Sequence, residues 1–248
     1  MDMKMSGKKS GTAVQDCIQT IKGQSETKGI SMRIALTGGI AAGKSTVSSR
    51  LEELGAGIVD YDMLSRQVVR PGSPALQHIV VAFGPKSLNA EGELNRSWMA
   101  STVFAPGRDA ERRRLESIIH PMVYEEAAKK EASLRRKLGH DGEPCIIVHE
   151  IPLFAEVSQS IPFSFEHVIS VEAPVDERVS RMLNSRHMSQ REAENRVRSQ
   201  SSSFDREQVA DIIIDSSQGL EQMFDYVGRI YKRLMAEDAE RATQGVAD

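Results

Sequence analysis

Cysteine is nearly missing from this 248-residue chain. Only Cys17 and Cys145 occur, far apart and in no metal-ligand spacing. That argues against a disulfide framework and a structural zinc site, and both read as reduced thiols of a cytoplasmic protein. An excess of charge of one sign is also missing. Lysine and arginine total 32 against 35 acids, a formal net charge of −3, so there is no global electrostatic reason to bind nucleic acid or a membrane surface. No apolar run approaches the roughly 18–20 residues that cross a bilayer. Residues 1–31 hold no arginine and no apolar core, and they carry Asp2, Asp16 and Glu26, which argues against a secretory signal and a transit peptide. They read as a flexible leader. Internal repeats are absent, as is the guanine-reading Asn-Lys-x-Asp of a Ras-type switch. The whole chain is 40 % apolar and 27 % charged, the profile of an ordinary soluble protein with one sizeable domain.

Apolar patches with the character of buried strands recur at Met32–Thr37, Gly57–Asp60, Cys145–His149, His167–Val171 and Ile212–Ile214, separated by segments of helical spacing. This alternation predicts a mostly five-stranded parallel sheet with helices on both faces, an α/β three-layer fold. Residues 61–144 are too long for one crossover. Pro71, Gly72 and Pro74 interrupt them early, and a charged run from Gly107 to about Lys137 follows, ended by His140-Asp141-Gly142. They read as a helical insertion within a domain spanning 32–236, with 237–248 as a flexible tail. Arg112-Arg113-Arg114 in that run reads either as a solvated helix face or as a phosphate contact.

The stretch from Leu36 to Thr46, LTGGIAAGKST, contains Gly38, four residues, then Gly43-Lys44-Ser45. This is the complete GxxxxGK[ST] pattern of a phosphate-binding loop. Polyphosphate oxygens must be met by several backbone N–H groups at once, and a chain curls that tightly only where side chains are absent. The helix that follows aims its positive end at the same oxygens. Lys44 adds a mobile charge near the β- and γ-phosphates, and Ser45 offers a hydroxyl to Mg²⁺.

Two further features choose among nucleotide enzymes. Gly57-Ile58-Val59-Asp60 is followed by Tyr61-Asp62 and then Arg66. Ligands of open parallel sheets sit at the carboxyl ends of strands, which puts Asp60 and Asp62 at the ligand edge. There an acid can orient an acceptor hydroxyl and take its proton, or simply cap a helix. Between 176 and 208 lie seven arginines and no lysine. Arginine suits phosphate oxygens, so this segment reads as a lid over about 178–206, with Arg181 and Arg186 as its candidate contacts. Six acids in the same window make a salt-bridged surface the competing reading for most of the seven.

From Met32 to Tyr231 the chain resembles the dephospho-coenzyme A kinase family. The resemblance rests on the loop; on VDYDMLSRQVVRPG; on AFG, AEGELNR and IIHPMV around His120; on IPLFAE at 151–156; on RVSRM at 178–182; on the Arg196-to-Gln200 spacing; and on ADIIIDSSQG at 210–219. It implies ATP-dependent phosphorylation of the ribose 3′-hydroxyl of dephospho-coenzyme A, the last step of coenzyme A synthesis, with Mg²⁺. It assigns Asp62 as the base and Arg181 as the arginine of the helix leading to the lid. Gly39, Ile40, Ala41, Ala42, Gly43, Lys44, Ser45 and Thr46 hold the nucleotide, with Arg186. Asp60, Arg66, His120, Pro152 and Leu153 face the acceptor, which the helical insertion binds. His120-Pro121 also reads as a helix-to-turn junction, and Pro152 and Leu153 as core. The partners implied are small molecules, and the protein is a monomer or weak homo-oligomer. Tyr61 departs from the small residue usual between the two acids, and Ser217 from the usual Asn. The rival functions are another small-molecule P-loop kinase, acting on a nucleotide or sugar acid, and a GTP-dependent switch.

Overall fold

The computed structural model describes residues 31–139 and 144–244. The leader residues 1–30, with Cys17, the 140–142 stop and the last four residues lie outside the described residues. Five strands form one parallel sheet in the order β2-β3-β1-β4-β5. They are β1 (Ser31–Gly38), β2 (Gly57–Asp60), β3 (Cys145–Glu150), β4 (His167–Glu172) and β5 (Ile212–Asp215). Each expected strand is present, and most extend by a residue or two. Ser31, assigned to the leader from sequence, already pairs with Cys145 in the ladder.

The helices are α1 (Lys44–Glu53), α2 (Tyr61–Gln67), α3 (Pro74–Phe83), α4 (Arg96–Val103), α5 (Asp109–Leu138), α6 (Phe154–Val157), α7 (Val175–Arg186), α8 (Gln190–Arg198), α9 (Ser203–Gln208) and α10 (Leu220–Gln244). Two compact units divide the described chain. One runs from Ser65 to Ala128; the other holds the sheet with the residues up to Leu64 and from Lys129 onward.

Strand alternation sorts the sheet into two unlike faces. On one face Met32, Ile34, Leu36, Ile146, Val148, Ile169 and Val171 form an apolar core with Val47 and Leu51 of α1 and with Val227, Ile230 and Leu234 of α10. The other face carries buried polar groups: Arg33, His149, Ser170 and Glu172. That contrast explains two corrections. The segment 61–144 was expected to be an insertion throughout, yet the helical unit is Ser65–Ala128. The last turns of α5 belong to the sheet because Glu131, 3 % exposed, accepts from Arg33 Nη2 of β1 at 2.8 Å and bonds His149 Nε2 of β3 at 3.1 Å. Likewise the tail expected from 237 is helical to Gln244, and Asp238 is buried.

The helical unit has its own logic. Ser73 caps α3 by accepting from the Leu76 N–H, ahead of Pro74 at the first helical position, and Asn95 caps α4 through the Trp98 N–H. Arg114 lies over the Phe83 ring and Arg112 over Phe104. These arginines thus have packing partners, in keeping with the helix-face reading. His120-Pro121 is no junction, for α5 continues through it.

Candidate functional site

The loop leaves β1 in the middle of the sheet and enters α1 through Gly43. Gly43 stands at φ +98 and is the helix N-cap, with no side-chain capping bond. The first turn of α1 contains no acid, so no carboxylate there competes with an outside anion for the helix terminus. The glycine is required here because side chains rarely adopt that conformation.

A cleft of about 630 Å³ opens over this loop. Its floor is Gly38 to Ser45, and its walls include Asp62, Pro152, Arg181, Arg186 and Gln200. Most of the residues proposed for nucleotide and base therefore converge, although they come from three separate stretches. Lys44 Nζ donates to Glu150 Oε1 at 2.5 Å. Glu150 ends β3, the strand beside β1, so the topology aims this acid at the loop. Arg181 Nη2 donates to the Ser216 carbonyl at 2.7 Å and to Glu177 at 3.1 Å; Nη1 reaches Ser216 Oγ at 3.1 Å and the Ala41 carbonyl at 3.3 Å. Arg186 is exposed on the cleft wall.

Other expected residues stand differently. Thr46 lies in α1 outside the cleft lining, its N–H bonded to the Gly43 carbonyl. Asp60 Oδ1 accepts from the Met63 N–H at 3.0 Å, so it caps α2, the alternative left open by the sequence. Leu153 is a partly exposed residue at the start of α6, outside the lining. Arg66 and His120 belong to the Ser65–Ala128 unit. His120 packs against the Tyr124 ring, and burial lowers its pKa. Tyr61 turns away from any nucleotide role: it is buried, and its hydroxyl meets His149 Nδ1 at 3.0 Å. Ser217 closes a turn on Asp215 by its N–H and hydroxyl.

Sequence reasoning left three site residues unassigned. Gln200 Oε1 accepts from the Ile40 N–H at 2.7 Å and fixes the loop crown. Ser216 bonds the Ala42 carbonyl and Arg181. Glu150, which from sequence reads as a polar strand end or as a holder of a metal-bound water, is the partner of Lys44. Only the Arg196-to-Gln200 spacing hinted at the first.

A family model described as dephospho-CoA kinase matches residues 32–222. The chain belongs to the dephospho-CoA kinase family. Among curated members, the dephospho-CoA kinase of Bifidobacterium longum is 51 % identical over 208 residues, covering 82 % of this chain and 96 % of that one. That of Cutibacterium acnes is 42 % identical over 203 residues, covering 82 % and 84 %. Of solved structures, TT1252 from Thermus thermophilus superposes with a TM-score of 0.63 at 25 % identity, covering 83 % of this chain and 97 % of that one. Dephospho-CoA kinase from Campylobacter jejuni gives 0.53 at 21 %, covering 82 % and 97 %, a likeness of fold. Among the described residues, no helix is long and apolar enough to cross a membrane.

Proposed function

We propose that this protein transfers the γ-phosphoryl group of ATP to the ribose 3′-hydroxyl of dephospho-coenzyme A, giving coenzyme A and ADP. The observation that carries this reading is the convergence of Lys44, Ser45, Asp62 and Arg181 on one cleft, in a member of this kinase family.

The loop N–H groups and the α1 terminus bind the phosphate chain. Lys44 exchanges Glu150 for phosphate oxygens and stabilises charge as the phosphoryl group leaves ADP. Asp62 orients the acceptor hydroxyl for in-line attack and takes its proton. Arg181 and Arg186 approach from the arginine-rich helices α7–α9, which act as a lid and exclude water that would hydrolyse ATP. Pro152 and Leu153 are the acceptor-side candidates of the sheet unit, Arg66 and His120 those of the helical unit, and Asp60 acts indirectly by holding α2.

Mg²⁺ fits the donor set. The Ser45 hydroxyl and the Glu150 carboxylate are hard oxygen donors beside the loop, and Mg²⁺ takes few protein ligands when phosphates supply the rest. When bound it neutralises charge on the phosphates. The protein works in the cytoplasm on small molecules alone, as a monomer or weak homo-oligomer.

The test is an acceptor panel with ATP: dephospho-coenzyme A, a nucleoside monophosphate and a sugar acid, read as ADP release and as the mass of one added phosphate on the acceptor. Phosphorylation of dephospho-coenzyme A alone is expected. Preferential turnover of either other acceptor, or of GTP without any acceptor, would reject the reading.

A further inference from the structure

Arg178, on the α7 face that meets the loop, stands out among the buried charges. It is 4 % exposed, and its Nε and Nη1 have no hydrogen-bond partner. A Cβ on Gly39 would overlap Arg178 Nη1 and lie 3.0 Å from Arg206 Nη2. Any side chain at Gly39 would have to displace that guanidinium.

Glu172 attracts this charge but is shared with a second arginine and makes no hydrogen bond to Arg178 Nε or Nη1. Glu172 is already committed to Arg206, with Nε to Oε1 at 2.7 Å and Nη2 to Oε2 at 2.6 Å, and it also accepts from Ser170 Oγ at 2.7 Å. Arg206 is itself a second positive charge beside Arg178. Burial first, then Arg206, pull the Arg178 pKa below its usual value, but an arginine starts so high that it stays charged at neutral pH. A buried, unpaired guanidinium next to a like charge weakens a fold. An apolar side chain of similar volume would fill the space without that cost.

The adjoining apolar contacts do not need the charge either. Val179, Met182 and Ala193 form their own cluster with Ile40 and Ala41 packed against it, so α7 and α8 already grip the loop by hydrophobic contact. What the loop lacks, and what Arg178 brings, is net positive charge at Gly39. Lys44 is already paired with Glu150 and Arg181 with Glu177.

We propose that Arg178 is a positioning residue for the phosphate chain: its uncompensated charge, held against Gly39 and outside the cleft lining, strengthens anion binding by the loop without touching the nucleotide. The ligand class is a polyphosphate, whatever base it carries. The proposal rests on the reading of the loop as the ATP site.

The experiment compares Arg178→Met, Arg178→Gln and Arg178→Lys with the unaltered full chain. Binding of ATP and of inorganic tripolyphosphate is measured by calorimetry, with the Tm of the free protein. The Met and Gln variants should bind both ligands about tenfold more weakly, while their free Tm stays equal or rises. The Lys variant should bind within about threefold of the unaltered chain, since it keeps the charge. Unchanged affinity in the folded Met or Gln variant, or a Lys variant as weak as Met, overturns the proposal. So does failure of both neutral variants to fold, which would make Arg178 a structural strut. Lys44→Ala separates the two levels. If it too leaves tripolyphosphate binding intact, the loop reading fails; if it weakens binding while Arg178→Met does not, only the role of Arg178 fails.

Discussion

Two groups of buried charge lie in the sheet unit, and they are built on opposite rules. Under the polar face of the sheet, Glu131 is bonded by Arg33, Arg135 and His149 together. Arg33 also donates to the Ser164 carbonyl at 3.1 Å and lies over the Phe163 ring. Burial alone would raise the Glu131 pKa, but the bonds to His149 and Arg33 outweigh it and hold the carboxyl far below the usual range. His149 is fully buried and, through that burial, its pKa is lowered, so it is neutral at pH 7. A neutral ring carries one N–H. The ionised Glu131 can only accept, so that proton sits on Nε2, and Tyr61 must donate to Nδ1. Each bond of this ring thus has one consistent direction. Around the loop the partners are exchangeable. Lys44 holds an acid, Arg181 holds main-chain carbonyls and a serine, and Arg178 holds nothing at two of its nitrogens. The first group is closed and holds the fold together; the second is left open to a ligand that brings negative charge.

That contrast can be broken first at the loop. Lys44→Ala and Asp62→Asn should each lower kcat by about two to three orders of magnitude, with far-UV circular dichroism unchanged. A folded Asp62→Asn enzyme with near-normal kcat would remove Asp62 from the role of base. The closed group should fail in the opposite way. Glu131→Gln leaves Arg33 buried without its counter-charge and should cost about 3–5 kcal/mol of stability, measured as a fall in the denaturant midpoint. The Arg178→Met midpoint should not fall.

Acid sharpens the comparison further. The folded pKa of His149 lies below the unfolded value of about 6.5, so the unfolded chain takes the proton first as pH drops. Its contribution to stability is complete above about pH 6.5 and is lost as pH falls through the depressed value. His120 shifts in the same direction, also by burial. The denaturant midpoint should therefore decline between pH 7.5 and pH 5.5, before the usual carboxylate range is reached. His120→Gln should remove only its own share of that decline. Glu131, with its much lower pKa, adds its loss only in stronger acid. The smallest effect belongs to Asp60. Asp60→Ala removes the cap on α2 and should cost about 1 kcal/mol, while Asp60→Asn keeps the cap and most of the stability. If Asp60→Ala instead abolished turnover as Asp62→Asn does, the division between capping and chemistry would be wrong.

Legibility in the sequence followed the range of the interaction. The loop could be read because its chemistry is local: Gly38, Gly43, Lys44 and Ser45 lie within eight residues, and the geometry that binds phosphate is set by their own backbone. The five strands could be read because each is a short apolar run. Tyr61 could not be placed, because its partner His149 is 88 residues away. Nor could the end of the insertion, since α5 runs on unbroken and the bonds of Glu131 that tie its last turns to the sheet reach distant residues, Arg33 and His149. The contacts of Glu150 and Gln200 are hidden for the same cause: nothing near them in sequence shows that one meets Lys44 and the other the Ile40 N–H.

The sequence by itself determined the sheet, the phosphate loop and the kinase family, because periodicity and motif spacing are written in neighbouring residues. Tertiary structure alone decided which of the two aspartates faces the cleft, which way Tyr61 turns, and which arginine of α7 is left unpaired. Those outcomes depend on pairing between distant charges, and each acid can satisfy only the few donors that the fold brings within about 3 Å of it.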